Sequence, residues 1–198
     1  LEYDIEKLQK GYQNKEYKIS EVVKSYLERI EKVDKNGAKL NSVITVNPDA
    51  MKIADSLDQV PLQLRKGALF GVPVLLKDNI DTKDKMPNTA GSLAMKDSFP
   101  LHDAFLVEKL RKSGAIIIGK TNLSEWANFR GMMSVSGWSG NGGLTKNPYD
   151  LTRNTCGSSA GSGAAISANL GIFAIGTETN GSIICPSSVN GIVGLKPT

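Results

Sequence analysis

Histidine and cysteine are nearly missing from this 198-residue chain, which has one His (His102) and two Cys (Cys156 and Cys185). A single imidazole excludes histidine-rich metal sites, and no histidine after position 102 is left to act as base for a downstream serine. Two cysteines are too few for a disulfide-built scaffold. Both are expected to be buried free thiols, with a disulfide as the alternative. No apolar run approaches the roughly 18 residues of a membrane span. Leu1 to Lys10 mixes acids and bases without the apolar block of a secretory leader. No membrane partner is therefore expected, and a cytoplasmic setting is. Aromatics are also scarce, at 6%. The 24 basic residues exceed the 20 acidic ones only enough for a net charge of +4, and they are spread singly along the chain. A nucleic-acid-binding face gathers its bases and interleaves aromatics, so no direct nucleic-acid partner is expected.

Hydrophobic residues make up 40% and charged residues 22%, a globular composition. The charges are unevenly placed. From Gly131 onward only Lys146, Asp150, Arg153, Glu178 and Lys196 remain, while 13 of the 20 glycines lie in that same stretch. Glycine interspersed with Ile, Val and Leu points to closely approaching, tightly turned backbone, as in a packed sheet centre or a site, and not to a linker. There is no internal repeat and no low-complexity tract.

Hydrophobic periodicity predicts a helix over Ser20 to Asp34, with Val22, Val23, Tyr26, Leu27 and Ile30 on one face. Asn41 to Val46 reads as a short strand, Ala50 to Leu57 as a helix, and Val72 to Lys77 as a buried strand. Asp103 is a candidate cap for a helix running to Ser113, followed by a strand at Ala115 to Ile118. Asn122 and Glu125 resemble a capping box for a helix through Phe129. Ser159 to Leu170 is small-residue throughout, as a helix packed close on a sheet requires, and Ile172 to Ile175 follows as a strand. Helices alternating with strands predict an α/β fold: a mixed, twisted sheet with helices on both faces.

Two motifs mislead. Gly114 to Thr121 matches the phosphate-loop pattern G-x-x-x-x-G-K-[ST], but a helix precedes it and its interior, Ala115 to Ile118, is itself strand-like. Amides tied into a sheet ladder cannot cradle phosphate, so no nucleotide cofactor is implied. Gly157 to Gly161 fits G-x-S-x-G, yet the lead-in Asn147 to Asn154 is turn-rich, where a nucleophile elbow needs a strand and a later histidine.

Four further segments occur in order: Gly71-Val-Pro-Val-Leu-Leu-Lys77-Asp-Asn79, Cys156-Gly-Ser158-Ser159-Ala-Gly161-Ser162, Gly176-Thr-Glu-Thr-Asn-Gly181-Ser182, and Gly191-Ile-Val-Gly194-Leu-Lys196-Pro-Thr198. Together with Gly119 to Glu125 they resemble the amidase signature family of serine hydrolases over about Gly67 to Thr198. Details around Glu125–Arg130, Glu178–Asn180 and Cys185 are more similar to bacterial peptide amidases than to the ammonia-releasing subunits of glutamyl-tRNA(Gln) amidotransferases. The resemblance implies residues 1–66 as a helical segment packing on the core. It implies 67–198 as the N-terminal part of a catalytic domain, completed by a C-terminal half or a partner chain. It implies an amide or peptide-amide substrate and no cofactor or metal.

Residue by residue, the resemblance makes Ser182 the nucleophile, Ser158 a bridging serine after a cis Gly157–Ser158 peptide bond, and Lys77 the base. Backbone amides of Thr179, Asn180 and Gly181 are implied as the oxyanion hole, and Gly131, Met132, Met133 and Ser134 as substrate-binding residues. The chemistry suits the residues. A serine needs a base to become nucleophilic, and a lysine can be that base when burial keeps it neutral. Lys77 ends the apolar run Val72 to Leu76, and Asp78 is expected to point away from it. Read without the resemblance, Ser158 or Ser159 is a helix N-cap, Ser182 a turn residue after Asn180-Gly181, and Lys77 a surface lysine. Two departures stand out: Asn180 occupies a position where many members have Gly, and Ile184 one where many have Arg.

Overall fold

The computed structural model describes residues 2–197. Helix α1 (Ile5–Gln13) starts at Asp4, whose carboxylate accepts the Lys7 N–H. Helix α2 (Ile19–Arg29) begins against the far end of another helix: the Ile19 and Ser20 amides donate to the Asp58 carboxylate at 2.8 and 3.0 Å. It stops short of the expected Asp34, because the backbone widens into a π-helical turn over Ile30–Lys35. That turn swings the fully buried Asp34 carboxylate onto the amides of Ser42 and Val43, at the start of β1 (Val43–Val46). Helix α3 (Ala50–Asp58), strand β2 (Pro73–Lys77), helix α4 (Phe105–Lys112) and strand β3 (Ile116–Thr121) follow. A small hairpin, β4 (Trp138–Ser139) and β5 (Gly143–Leu144), precedes helix α5 (Ala160–Ser167), strand β6 (Phe173–Ile175) and helix α6 (Ile184–Val189).

The main sheet has the order β1-β3-β2-β6, with β1 antiparallel to β3 and the other pairs parallel. Every residue of β2 and β3 is buried, as expected for parallel strands covered on both faces. Alternate residues feed two cores. Leu75, Ile116 and Ile118 join Leu8, Val22, Tyr26 and Ala54 under α1, α2 and α3. Val74, Leu76 and Ile117 join Val107 and Leu110 of α4 on the other side. The fold is thus α/β, a mixed sheet with helices on both faces. Strand β3 carries the phosphate-loop look-alike. Ile116, Ile117 and Gly119 to Thr121 are paired in the ladder with β2, and buried Lys120 donates to Ile80 O.

Three local expectations give way to longer-range bonds. Asp103 does not cap α4, which starts after Ala104. Its carboxylate accepts the Lys83 N–H and pairs with Arg111 at 2.9 Å. Asn122 and Glu125 form no capping box. Asn122 donates to Asn41 O and Gly143 O, and Glu125 accepts the Gly140 N–H and pairs with Arg130. Just after Glu125 the chain makes a left-handed turn, with φ of 50°, 55° and 69° at Trp126, Ala127 and Asn128. The cysteines are not free thiols: Cys156 and Cys185 form a disulfide.

Candidate active site

The carboxyl ends of the parallel strands bring the polar residues together, the place where open α/β sheets gather ligands. Lys77 is the last residue of β2 and pairs in register with Thr121 of β3. The loop leaving β6 runs from Gly176 to Ser182, and α5 starts beside it. The start of α5 can come this close because it carries no bulk. A Cβ on Gly161 would meet Ser42 O at 2.3 Å and Asn122 N at 2.4 Å, and the Gly161 amide donates to Asn122 O.

Lys77 and Ser158 are both fully buried, and Lys77 Nζ lies 2.7 Å from Ser158 Oγ. Nζ also reaches Thr177 Oγ1 at 2.8 Å and Thr177 O at 3.1 Å. Burial pulls the amine down from 10.5 to about 7, with Glu178 opposing that change. Asp78 does point away, since successive side chains alternate across a strand. Its carboxylate accepts the Thr89 hydroxyl, and burial lifts it to about 6. The Gly157–Ser158 peptide bond is cis.

Ser182 is half-buried and shares a cavity of about 520 Å³ with Ser158, Asn79, Thr177, Thr179 and Asn180. Its carbonyl accepts the Ser159 amide at 3.0 Å, which pins the loop to the start of α5. Its hydroxyl makes no hydrogen bond among the described residues. The disulfide ties the residue two before Ser158 to the residue three after Ser182. Ser159 and Ser162 bond locally, to Thr177 O and to Thr121 Oγ1.

The loop's amides divide into two sets. Glu178 curls back to accept the amides of Gly181 and Ile183 at 2.6 Å and of Ile184 at 2.9 Å. Ile184 first and Ile183 next hold its carboxyl below the usual glutamate value. The Gly181 amide is therefore not free for an oxyanion, contrary to its expected role. The amides of Thr179, Asn180 and Ser182 have no partner among the described residues. Gly181 itself sits at φ +81° with nothing within 4 Å of where a Cβ would stand, so the peptide can turn here and leave open space beside Ser182.

The expected substrate residues Gly131 to Ser134 do not line this cavity. Met132 and Met133 are essentially fully exposed. The left-handed turn takes their place and presents Ala127, Asn128 and Phe129 to the cavity. Asn79 and Thr177, in contact with each other and with the cavity, are not singled out by sequence reasoning, although both stand inside the quoted segments. Among the described residues no cluster of three or more His, Cys, Asp or Glu side chains forms, and no helix is long and apolar enough to cross a membrane.

A buried, neutralised amine in contact with a serine hydroxyl, beside a second, accessible serine and a set of free amides, can carry out nucleophilic acyl transfer. The Amidase family profile matches residues 21–198. The native peptide amidase of Stenotrophomonas maltophilia superposes with a TM-score of 0.96 at 50% identity, covering 100% of this chain and 40% of that one. A probable amidase of Arabidopsis thaliana is 45% identical over 200 residues, again all of this chain and 38% of the relative. A glutamyl-tRNA(Gln) amidotransferase subunit of Archaeoglobus fulgidus is 44% identical over 90% of this chain and 36% of its own. The chain thus spans about two fifths of the length of these relatives.

Proposed function

The chain belongs to the amidase family, and from that premise we propose that it carries the reactive groups of a hydrolase cleaving carboxamide C–N bonds through an acyl-enzyme on Ser182. The observation that carries this reading is the 2.7 Å contact between buried Lys77 and buried Ser158, opening on a cavity that also holds Ser182. Ser182 Oγ attacks the carbonyl carbon and passes its proton to Ser158, whose own proton moves to the Lys77 lone pair. The amides of Thr179, Asn180 and Ser182 receive the oxyanion; one such donor is typically worth about 10²–10³ in rate. Collapse of the tetrahedral species returns the proton through Ser158 to the departing amine. Water then attacks the acyl-enzyme by the same relay.

The exposure of the three groups suits these roles. The base and bridge are buried, which weakens the amine's hold on its proton, while Ser158 and the more exposed Ser182 both line the cavity. C-terminal peptide amides or similar linear amides are the proposed substrates, supported by the 50% identity and TM-score of 0.96 to a peptide amidase. A second reading, the ammonia-releasing subunit of a glutamyl-tRNA(Gln) amidotransferase, draws support from the 44% identity to the Archaeoglobus protein. The remaining walls of the substrate pocket are assigned to sequence outside this chain or to a partner chain.

A fluorophosphonate probe on the whole protein tests the proposal. Labelling at Ser182, lost in Ser182→Ala, together with ammonia release from a peptide amide without partner subunits, is the expected result. Turnover only with partner subunits present would transfer the assignment to the amidotransferase reading. An unlabelled Ser182 would leave a binding or assembly module.

A further inference from the structure

Two of the three atoms that Lys77 Nζ contacts belong to one residue, Thr177. A neutral amine has two hydrogens and one lone pair, whereas the ammonium has three hydrogens. Thr177 O can only accept, so it takes one N–H. Thr177 Oγ1 is held by the Asn79 carboxamide, with Nδ2 at 3.0 Å and Oδ1 at 3.5 Å. The Asn79 N–H occupies one lone pair of the hydroxyl, and the hydroxyl's own hydrogen turns toward Asn79 Oδ1. The lone pair left on Oγ1 faces Lys77 and takes the second N–H. The remaining position on Nζ, a lone pair in the amine and a third hydrogen in the ammonium, meets Ser158 Oγ.

We propose that Thr177, braced by Asn79, is a positioning residue that aims the Lys77 lone pair at Ser158. The role parallels that of the carboxylate that fixes a histidine tautomer in a serine–histidine triad. It rests on the proposal that Lys77 is the base. In the step it prepares, the Ser158 O–H bond breaks with its electron pair kept on oxygen, and the Nζ–H bond forms from the aimed lone pair. Ser158 gains the Ser182 proton in the same relay, so charge and hydrogens balance. Glu178, on the loop after β6, is the charged side chain that acts on Lys77. From β3, Lys120 is turned to Ile80 O; Asp78, next to Lys77 at the end of β2, is turned to Thr89.

The test is the pH dependence of fluorophosphonate labelling at Ser182 in the whole protein, for wild type, Thr177→Val, Thr177→Ser and Asn79→Ala. Thr177→Val removes an acceptor that favours the ammonium over the amine, so the inflection should move to lower pH by about half to one unit. With the lone pair no longer aimed, the plateau rate should fall about tenfold or more. Thr177→Ser should restore both. Asn79→Ala should shift the inflection in the same direction, because the Thr177 hydroxyl is then free to donate to the amine; it decides the matter if Thr177→Val fails to fold. A lower plateau with an unmoved inflection, or no change at all, overturns the positioning role while leaving Lys77 as base. A wild-type protein unlabelled at Ser182 overturns both.

Discussion

Replacing Lys77 with Met isolates the energetics on which the chemistry depends. Methionine keeps the length and apolar character of the side chain but cannot be charged. In the folded protein the amine titrates near 7, and in the unfolded chain at its ordinary 10.5. Below about pH 7 both states hold the proton, and folding bears the full cost of a buried ammonium. Above 10.5 neither state holds it, and the cost is gone. In between, the unfolded chain binds more protons, so stability must rise with pH, at about 1.4 kcal/mol per unit. Across the whole window the gain is about 4–5 kcal/mol. The variant lacks this rise. Its loss of hydrogen bonds to Ser158 and Thr177 is constant with pH, and other groups such as Asp78 titrate alike in both proteins. Urea unfolding of wild type and variant from about pH 6 to pH 10.5 should therefore give a stability difference that changes by that amount, with wild type gaining relative to Lys77→Met as pH rises. Parallel curves would mean that the amine stays charged in the fold, and a charged amine cannot accept the Ser158 proton. Wild-type kcat/KM should in turn rise through about pH 7, as the amine is freed.

Ser158→Ala should slow labelling of Ser182 by about 10²–10⁴ with little change in fold, measured by mass spectrometry and circular dichroism, because the relay loses its middle member. Glu178→Gln exchanges an acceptor of three loop amides for a group with one acceptor oxygen. Labelling should fall about 10²-fold as the oxyanion amides lose their placement, and its pH inflection should move down, since Glu178 raises the Lys77 value. Joint replacement of Cys156 and Cys185 by Ser opens a loop of sequence separation 29. It should lower unfolding free energy by about 2–4 kcal/mol, read from urea unfolding curves with midpoint and slope both measured.

The parts of the fold legible in the sequence are those fixed by local pattern and burial alone. Strands β2 and β3 stand out as apolar runs because parallel strands are covered on both faces. Helix α4 is visible from Val107 and Leu110, but its starting cap is not, because Asp103 finds a stronger partner in Arg111. The stretch from Asn122 to Phe129 reads as a helix by local rules and is a left-handed turn, since distant groups such as Gly140 and Ala90 O claim its side chains and amides. That turn is also why the cavity wall falls at Ala127 to Phe129 and not four residues later. The disulfide is out of reach of local reading because Cys156 and Cys185 meet only once α5 and the loop after β6 are docked. Lys77 and Ser158 emerge through family resemblance. Thr177 and Asn79 carry no signal, since a threonine and an asparagine in loops are commonplace until their hydrogens are counted.

The uneven charge distribution acquires a physical meaning in this arrangement. An amine works as a base near neutrality only where few carboxylates can stabilise its proton. After Gly131 the chain has just two acids, Asp150 and Glu178. Of these two, Glu178 is the one that acts on Lys77, and its two oxygens are committed to the amides of Gly181, Ile183 and Ile184. The same carboxylate thus shapes the loop that carries Ser182, and its charge, shared with three backbone amides, offsets only part of the effect of burial on the lysine. The glycines of this region serve the same end from the other side, allowing α5 to approach the end of β3 so closely that Lys77 and Ser158 are sealed from water. A histidine triad holds its base neutral by the intrinsic pKa of imidazole; here the sparse charge and dense glycine of one stretch of sequence achieve the same condition.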